Sequence, residues 1–310
     1  MELAEAGSRA EGASHGPHCD HNRPDGPRVR PGMTRRHRFR ISARLRYLLH
    51  QEGWLLLNMA ATNGRTQRVV SEALSNSQGL AFHNHEGPPD SSRFHGLAAA
   101  AGPLEVVYQA DVERDIAEHQ EKEAAECALI DLPPEVVRFL YPSRYCESDK
   151  LVRLAAKEFG ELAPGHERVA GICNWIFQHI DYQPGATDAH TSAVEFLTLR
   201  AGVCRDFAHL GVAFCRAMGI PARYGSAYAL GLPEPDYHAF FEVWLEGRWW
   251  YYDATRLAPQ PGFVRVGIGH DAADTSVATM SSNVEFISMQ IQMEQLAGDP
   301  IFYSNGPIGF

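Results

Sequence analysis

The chain has 310 residues, 45% of them hydrophobic and 21% charged, a composition that builds a real core and excludes fibrous or wholly disordered classes. Its formal net charge of -10 argues against nucleic acid or an anionic membrane as the main partner, since both reward a basic surface. The length suits one large domain or two ordinary ones.

No apolar run approaches the roughly 20 residues that a membrane-spanning helix needs. Residues 1–32 also lack the apolar centre of a secretory signal. No membrane partner is therefore expected, and the expected address is cytoplasmic. The six cysteines, Cys19, Cys127, Cys146, Cys173, Cys204 and Cys215, are scattered singly and are expected to be mostly reduced, which leaves thiol chemistry available.

In chain order, residues 1–32 are rich in Gly, Pro, Arg and His and read as a disordered leader. The cluster His15, His18, Cys19 and His21 matches no zinc module, so no metal site is expected there. Met33 opens the first patterned sequence and is a candidate natural start. From Phe39 to Tyr47 apolar residues alternate with arginine and serine, the period of a half-buried strand. The arginine row of that strand invites an anion-binding reading, but a solvated strand face explains it more simply.

Residues 54–62, 67–74 and 104–112 read as further strands, so residues 35–115 form a small all-β domain. A charged passage follows, and residues 116–134 read as a linker. Helices are predicted over residues 149–159 behind Ser148, 166–180, 192–199 and 204–218, the last closed by Gly219. Strands return at residues 223–230, 238–245, 249–255 and 284–293. A C-terminal domain thus covers residues 135–295, with a tail over 296–310.

Chemistry concentrates around Cys204. Gly202 is expected to break the preceding helix and Cys204 to open the next, so the sulfur faces free backbone N–H groups and the positive end of the helix dipole. That setting favours a thiolate and can hold the oxyanion formed when it attacks an amide. His238 opens a strand, and the Glu246-Gly247 turn suits a two-residue hairpin. In that register Leu245 faces Arg248 and Phe240 faces Asp253, which brings Asp253 onto the face of His238, where its carboxylate can orient the imidazole. A slip of one residue would send Asp253 to the other face. Cys173 and Cys215 read as core thiols, and His209, five residues beyond Cys204, is a poorly placed rival base. Trp175, Tyr182, Phe240, Trp249 and Trp250 surround this region, most of them expected in the core.

The stretches Gly202-Val-Cys-Arg-Asp-Phe-Ala-His209, Gly219-Ile-Pro-Ala-Arg-Tyr224, His238-Ala-Phe240 and Trp250-Tyr-Tyr-Asp-Ala-Thr255 resemble the core of bacterial transglutaminase-like proteins, a group that includes proteins regarded as cysteine proteases. The resemblance covers roughly residues 135–275. It implies a papain-like α+β fold, a helix bearing the cysteine packed on an antiparallel sheet, preceded by the β domain. It also implies a triad of Cys204, His238 and Asp253. One departure is His270, where an arginine would be expected.

The function expected is thiol-dependent acyl transfer from a peptide or protein amide, with no cofactor and no metal. Water as acceptor makes the protein a cysteine peptidase, amidase or deamidase, and an amine makes it a protein-glutamine transglutaminase. Hydrolysis is preferred because water is always present. A non-catalytic peptide- or glycan-binding module on the same fold is the competing class.

Overall fold

The computed structural model describes residues 34–118 and 124–302, together with the backbone of 308–309. The leader 1–32 with its His/Cys cluster, part of the 116–134 linker and part of the 296–310 tail lie outside the described residues. The β-rich half contains β1 (Thr34–Leu49), β2 (Gly53–Leu57), β3 (Gln67–Asn76), β4 (His83–Glu86), β5 (Arg93–Ala99) and β6 (Gly102–Glu118). Then come helices α1 (Pro134–Val137), α2 (Ser148–Phe159) and α3 (His166–His179), strand β7 (Asp181–Tyr182), helix α4 (Ala193–Leu199), strand β8 (Ala201–Gly202) and helix α5 (Cys204–Ala217). The chain continues through β9 (Ala222–Ala229), β10 (Tyr237–Leu245), β11 (Arg248–Tyr252), β12 (Phe263–Gly269), β13 (Ala278–Met280), β14 (Val284–Ala297) and β15 (Ile308–Gly309).

The alternation along β1 has the expected result, since Phe39, Ile41, Ala43, Leu45 and Tyr47 are all buried. Its arginines lie against acids of β6: Arg36 on Asp115, Arg38 and Arg40 on Asp111, Arg44 and Arg46 on Glu105. Such half-exposed pairs contribute at most about 1 kcal/mol each, so the row is a solvated, charge-matched strand face.

The main sheet runs β12-β9-β10-β11-β15-β6-β1-β14, with β3 also paired to β6, and a second sheet runs β13-β2-β5-β4. Side chains of both sheets share one apolar core, into which Tyr228, Tyr237, Val264 and Val266 also reach from β9, β10 and β12. Residues 284–293, read from the sequence as a late strand of the C-terminal unit, belong to β14, which extends to Ala297 and runs antiparallel along most of β1. A partner some 250 residues distant leaves no mark on the local pattern of a strand. Of the strands that carry no sequence prediction, β5 and β12 are the longest. In β12 nearly every residue is buried, so there is no alternation to read.

The helices form the other layer. Helices α2, α3 and α4 pack around α5, and α5 lies on β9 and β10. Every residue of α5 from Asp206 to Arg216 is buried, the signature of a central helix. Close approach to the sheet is possible because residue 211 is glycine: a β-carbon there would lie 2.5 Å from ring Cε1 of Phe241. Gly211→Ala gains about 1 kcal/mol in helix propensity but is expected to cost more through overpacking, for a net loss of roughly 1–2 kcal/mol. Denaturant unfolding reads this directly, and an unchanged midpoint would mean that β10 can move away.

Candidate active site

Cys204 is the first residue of α5, and the local chain explains its exposure. Helix α4 ends at Leu199, and Arg200 turns the backbone with a φ of 61°. The helix thus stops two residues before Gly202, the expected breaker. Gly202 serves close packing instead, because a β-carbon there would sit 2.6 Å from the Phe196 ring and 2.7 Å from Asp206 Oδ2. The buried Asp206 carboxylate folds back to accept the Val203 N–H at 3.0 Å and the Thr187 hydroxyl at 2.5 Å. Arg205 donates to Asp206 Oδ1 at 2.7 Å and to the Asp188 carbonyl at 2.6 Å. The N-terminus of α5 is therefore fixed, and the passage after β7 is tied to it. The sequence reading gave Asp206 no role, although an acid three residues past a helix N-cap is a recognisable capping signal.

The second part of the site is the β10–β11 hairpin. Glu246 and Gly247 both take positive φ, 51° and 76°, as a two-residue type I′ turn requires. The register runs from Leu245 opposite Arg248 to Phe241 opposite Tyr252, and its continuation sets Phe240 opposite Asp253. His238 Nε2 then meets Asp253 Oδ2 at 2.8 Å, and both side chains are almost wholly buried. Cys204 lies near enough to His238 for its sulfur to act electrostatically on the ring.

Asp253 is itself held in place. The Thr255 N–H donates to its Oδ1 at 2.8 Å, and the Thr255 hydroxyl lies 2.8 Å from Oδ1 and 3.0 Å from Oδ2. Thr255 was quoted in the sequence only as the end of a resembling stretch, yet it positions the carboxylate. The Phe263 ring packs edge-on to His238 with centroids 5.2 Å apart, closing one side of the imidazole.

Electrostatics decide the protonation of this histidine. Burial disfavours a charged ring, but the Asp253 carboxylate, its hydrogen bond and the Cys204 thiol outweigh burial and raise the His238 pKa to about 10. His238 is therefore an imidazolium at neutral pH. The rival His209 is the opposite case. It is fully buried, accepts the Ala272 N–H at 3.1 Å on Nε2 and stacks on Tyr145, and burial with the nearby Arg205 and Arg216 charges pushes its pKa well below the ordinary histidine value.

Cys146, Cys173, Cys204 and Cys215 are free thiols, and Cys204 alone of these four is only partly buried. Burial raises the other three, Cys146 to about 12 and Cys173 and Cys215 likewise above the ordinary thiol value. Of the aromatics noted near the site, Phe240 and Trp250 are fully buried and belong to the core, whereas Tyr182 is 41% exposed. The parts assembled here are a sulfur at the positive end of a helix, a protonated imidazole against it and a carboxylate behind. Such a set can form an acyl-thioester and deliver a proton to a leaving group.

Comparison with known proteins agrees with this architecture. Residues 153–254 match the Transglutaminase-like superfamily. The crystal structure of a "Putative Cysteine Protease" from Cytophaga hutchinsonii superimposes with a TM-score of 0.84 at 36% identity, covering 88% of this chain and 96% of that one. An uncharacterized protein of Mycobacterium leprae is 33% identical over 163 residues, which is 50% of this chain and 57% of that protein. One from Mycobacterium tuberculosis (strain ATCC 25618 / H37Rv) is 29% identical over 198 residues, 57% of this chain and 59% of that protein. The match thus spans less than two thirds of the length of these mycobacterial relatives.

The fold is a mixed helix and antiparallel-sheet one with a transglutaminase-like, papain-like core behind a β-rich N-terminal region. This chain belongs to the transglutaminase-like superfamily. Among the described residues no helix is long and apolar enough to cross a membrane.

Proposed function

We propose that this protein is a thiol-dependent acyl-transfer enzyme that cleaves a peptide or side-chain amide, with Cys204 as nucleophile, His238 as proton carrier and Asp253 as the group that orients and charges His238. The observation that carries this reading is the buried His238 Nε2–Asp253 Oδ2 pair at 2.8 Å, with Cys204, the partly buried first residue of α5, near enough to act on the ring. With its proton already carried by His238, the Cys204 sulfur attacks the amide carbon as a thiolate, a C–S bond forms and the carbonyl π pair moves to oxygen. The intermediate collapses as His238 gives its proton to the departing amine nitrogen, leaving a thioester on Cys204. Neutral His238 then takes a proton from water, which attacks the thioester and releases the acid.

Two readouts test this. Iodoacetamide at neutral pH is expected to alkylate Cys204 roughly 100-fold faster than Cys146, Cys173 or Cys215, because those thiols are both buried and harder to ionise. Mass spectrometry of protein quenched during turnover of a peptide-amide library is expected to find the acyl group on Cys204, with Cys204→Ala as blank. Equal alkylation of all four thiols, or acyl groups on other residues, would defeat the proposal. Added amines that capture the acyl group in preference to water would turn the reading toward a transglutaminase.

A further inference from the structure

We infer that β14 is a dimerisation edge, along which a second copy of this chain pairs antiparallel and joins the two main sheets into one. Such pairing goes beyond the acyl-transfer reading and does not depend on it.

A strand at the end of a sheet leaves a row of backbone N–H and C=O groups unpaired, and proteins guard such rows with short strands, basic side chains, proline, bulges or cover from other elements. Strand β12, at the opposite end of the main sheet, is guarded by burial, since nearly all of it lies inside. Strand β14 is built differently. It is 14 residues long and, among the described residues, pairs only with β1. It holds no Lys, Arg or Pro, and its two acids, Glu285 and Glu294, stand toward its ends. From Ser288 to Gln295 its ladder to β1 runs without a bulge. Phe286, Ile287 and Leu296 are 49%, 52% and 39% exposed.

The side chains along this edge complement themselves. Antiparallel pairing of two copies about Ile291 sets Met289 opposite Met293, Gln290 opposite Gln292 and Ile291 opposite its own copy. Met289, Ile291 and Met293 lie across from Leu45, Ala43 and Ile41 on the core face, and the two methionines are only partly buried where the sheet ends. A second copy continues that core. Further out, the same register brings exposed Phe286 to exposed Leu296. A slip of one residue sets Ile291 against Gln292, and a slip of two sets Phe286 against Glu294 or Met289 against Gln295, so the pattern selects one register.

Charge selects it too. On the outer face Glu294 lies 3.8 Å from Arg40 of its own chain. In the dimer it faces the partner's Ser288, and beyond that small side chain stands the partner's Arg46, because Arg46 is opposite Ser288 in the β1 ladder. Each carboxylate thus falls between two arginines, with no acid opposite another. Two-fold symmetry supplies every one of these contacts twice, and a foreign strand would have to reproduce the pattern that each copy already carries.

Gln290 and Gln292 are exposed, so charges placed there act on the interface and spare the fold. Sedimentation of the full chain at micromolar concentration is expected to give a dimer. The double variants Gln290→Lys/Gln292→Lys and Gln290→Glu/Gln292→Glu each set like charges opposite one another and are expected to dimerise roughly tenfold more weakly, with melting temperatures close to wild type. Mixed in equal amounts, they set Lys against Glu in every pair, and the heterodimer is expected to recover the wild-type affinity. A wild-type chain that sediments as a monomer, or variants that dimerise as well as wild type, would overturn the assignment. So would a mixture that associates no better than either variant alone.

Discussion

Replacing His238 with glutamine is expected to slow acyl transfer from an amide roughly 10⁴- to 10⁶-fold, the range found when the base of a hydrolase triad is removed. Glutamine fills much of the space between β10, Phe263 and Asp253 but can neither take the thiol proton nor give one to an amine. Alkylation by iodoacetamide should fall far less, roughly tenfold, because sulfur remains nucleophilic without a proton donor. The contrast between the two reactions is the diagnostic feature. His238 is almost wholly buried, so the denaturant midpoint must be measured alongside. A folded variant that retains amide cleavage within tenfold of wild type would remove His238 from the mechanism.

Asp253→Asn should produce the second large effect, a loss of roughly 10³- to 10⁴-fold, and its cause can be read from pH dependence. In the wild type the carboxylate overcomes burial and holds the His238 pKa at about 10, so the alkaline limb of acyl transfer is expected there. The amide can still accept a hydrogen bond but brings no charge. Burial then dominates, and the ring loses its proton below the ordinary histidine range. The alkaline limb of the variant should therefore drop below neutrality.

Stability carries the same sign. The folded-state value lies above the unfolded value of about 6.5, so the stabilisation is complete below pH 6.5 and is lost as pH rises through about 10. Asp253→Asn should abolish that slope in denaturant midpoints between pH 6.5 and 10. A variant whose alkaline limb stays near pH 10 would show that another group sets the proton affinity of His238.

Both predictions concern residues that local sequence patterns had already brought together. A two-residue turn fixes the register of the strands it joins, and register fixes which side chains share a face. Glu246-Gly247 was therefore enough to bring His238 and Asp253 to one side, and the structure keeps that register. Cys204 was legible for a similar reason, since a helix start is marked by residues within a few positions of it. The expected role of Gly202 was nevertheless different from its actual one. The helix break belongs to Arg200, and the need for glycine comes from Phe196 and Asp206 packing against residue 202.

By itself the sequence determined the α5 start at Cys204, the hairpin that unites His238 with Asp253, and the alternating face of β1, because each depends on neighbours only a few residues apart. Tertiary structure decided the rest. Tyr182 lies opposite Gly202 only because β7 pairs with β8, Thr187 reaches Asp206 across a folded-back passage, and β14 returns to β1 from the far end of the chain. These partners are chosen by burial and by hydrogen bonds between distant segments, and no local period or turn signal encodes them. The proton on His238 is decided in the same way, by the balance between burial and one carboxylate that exists only once the core has closed.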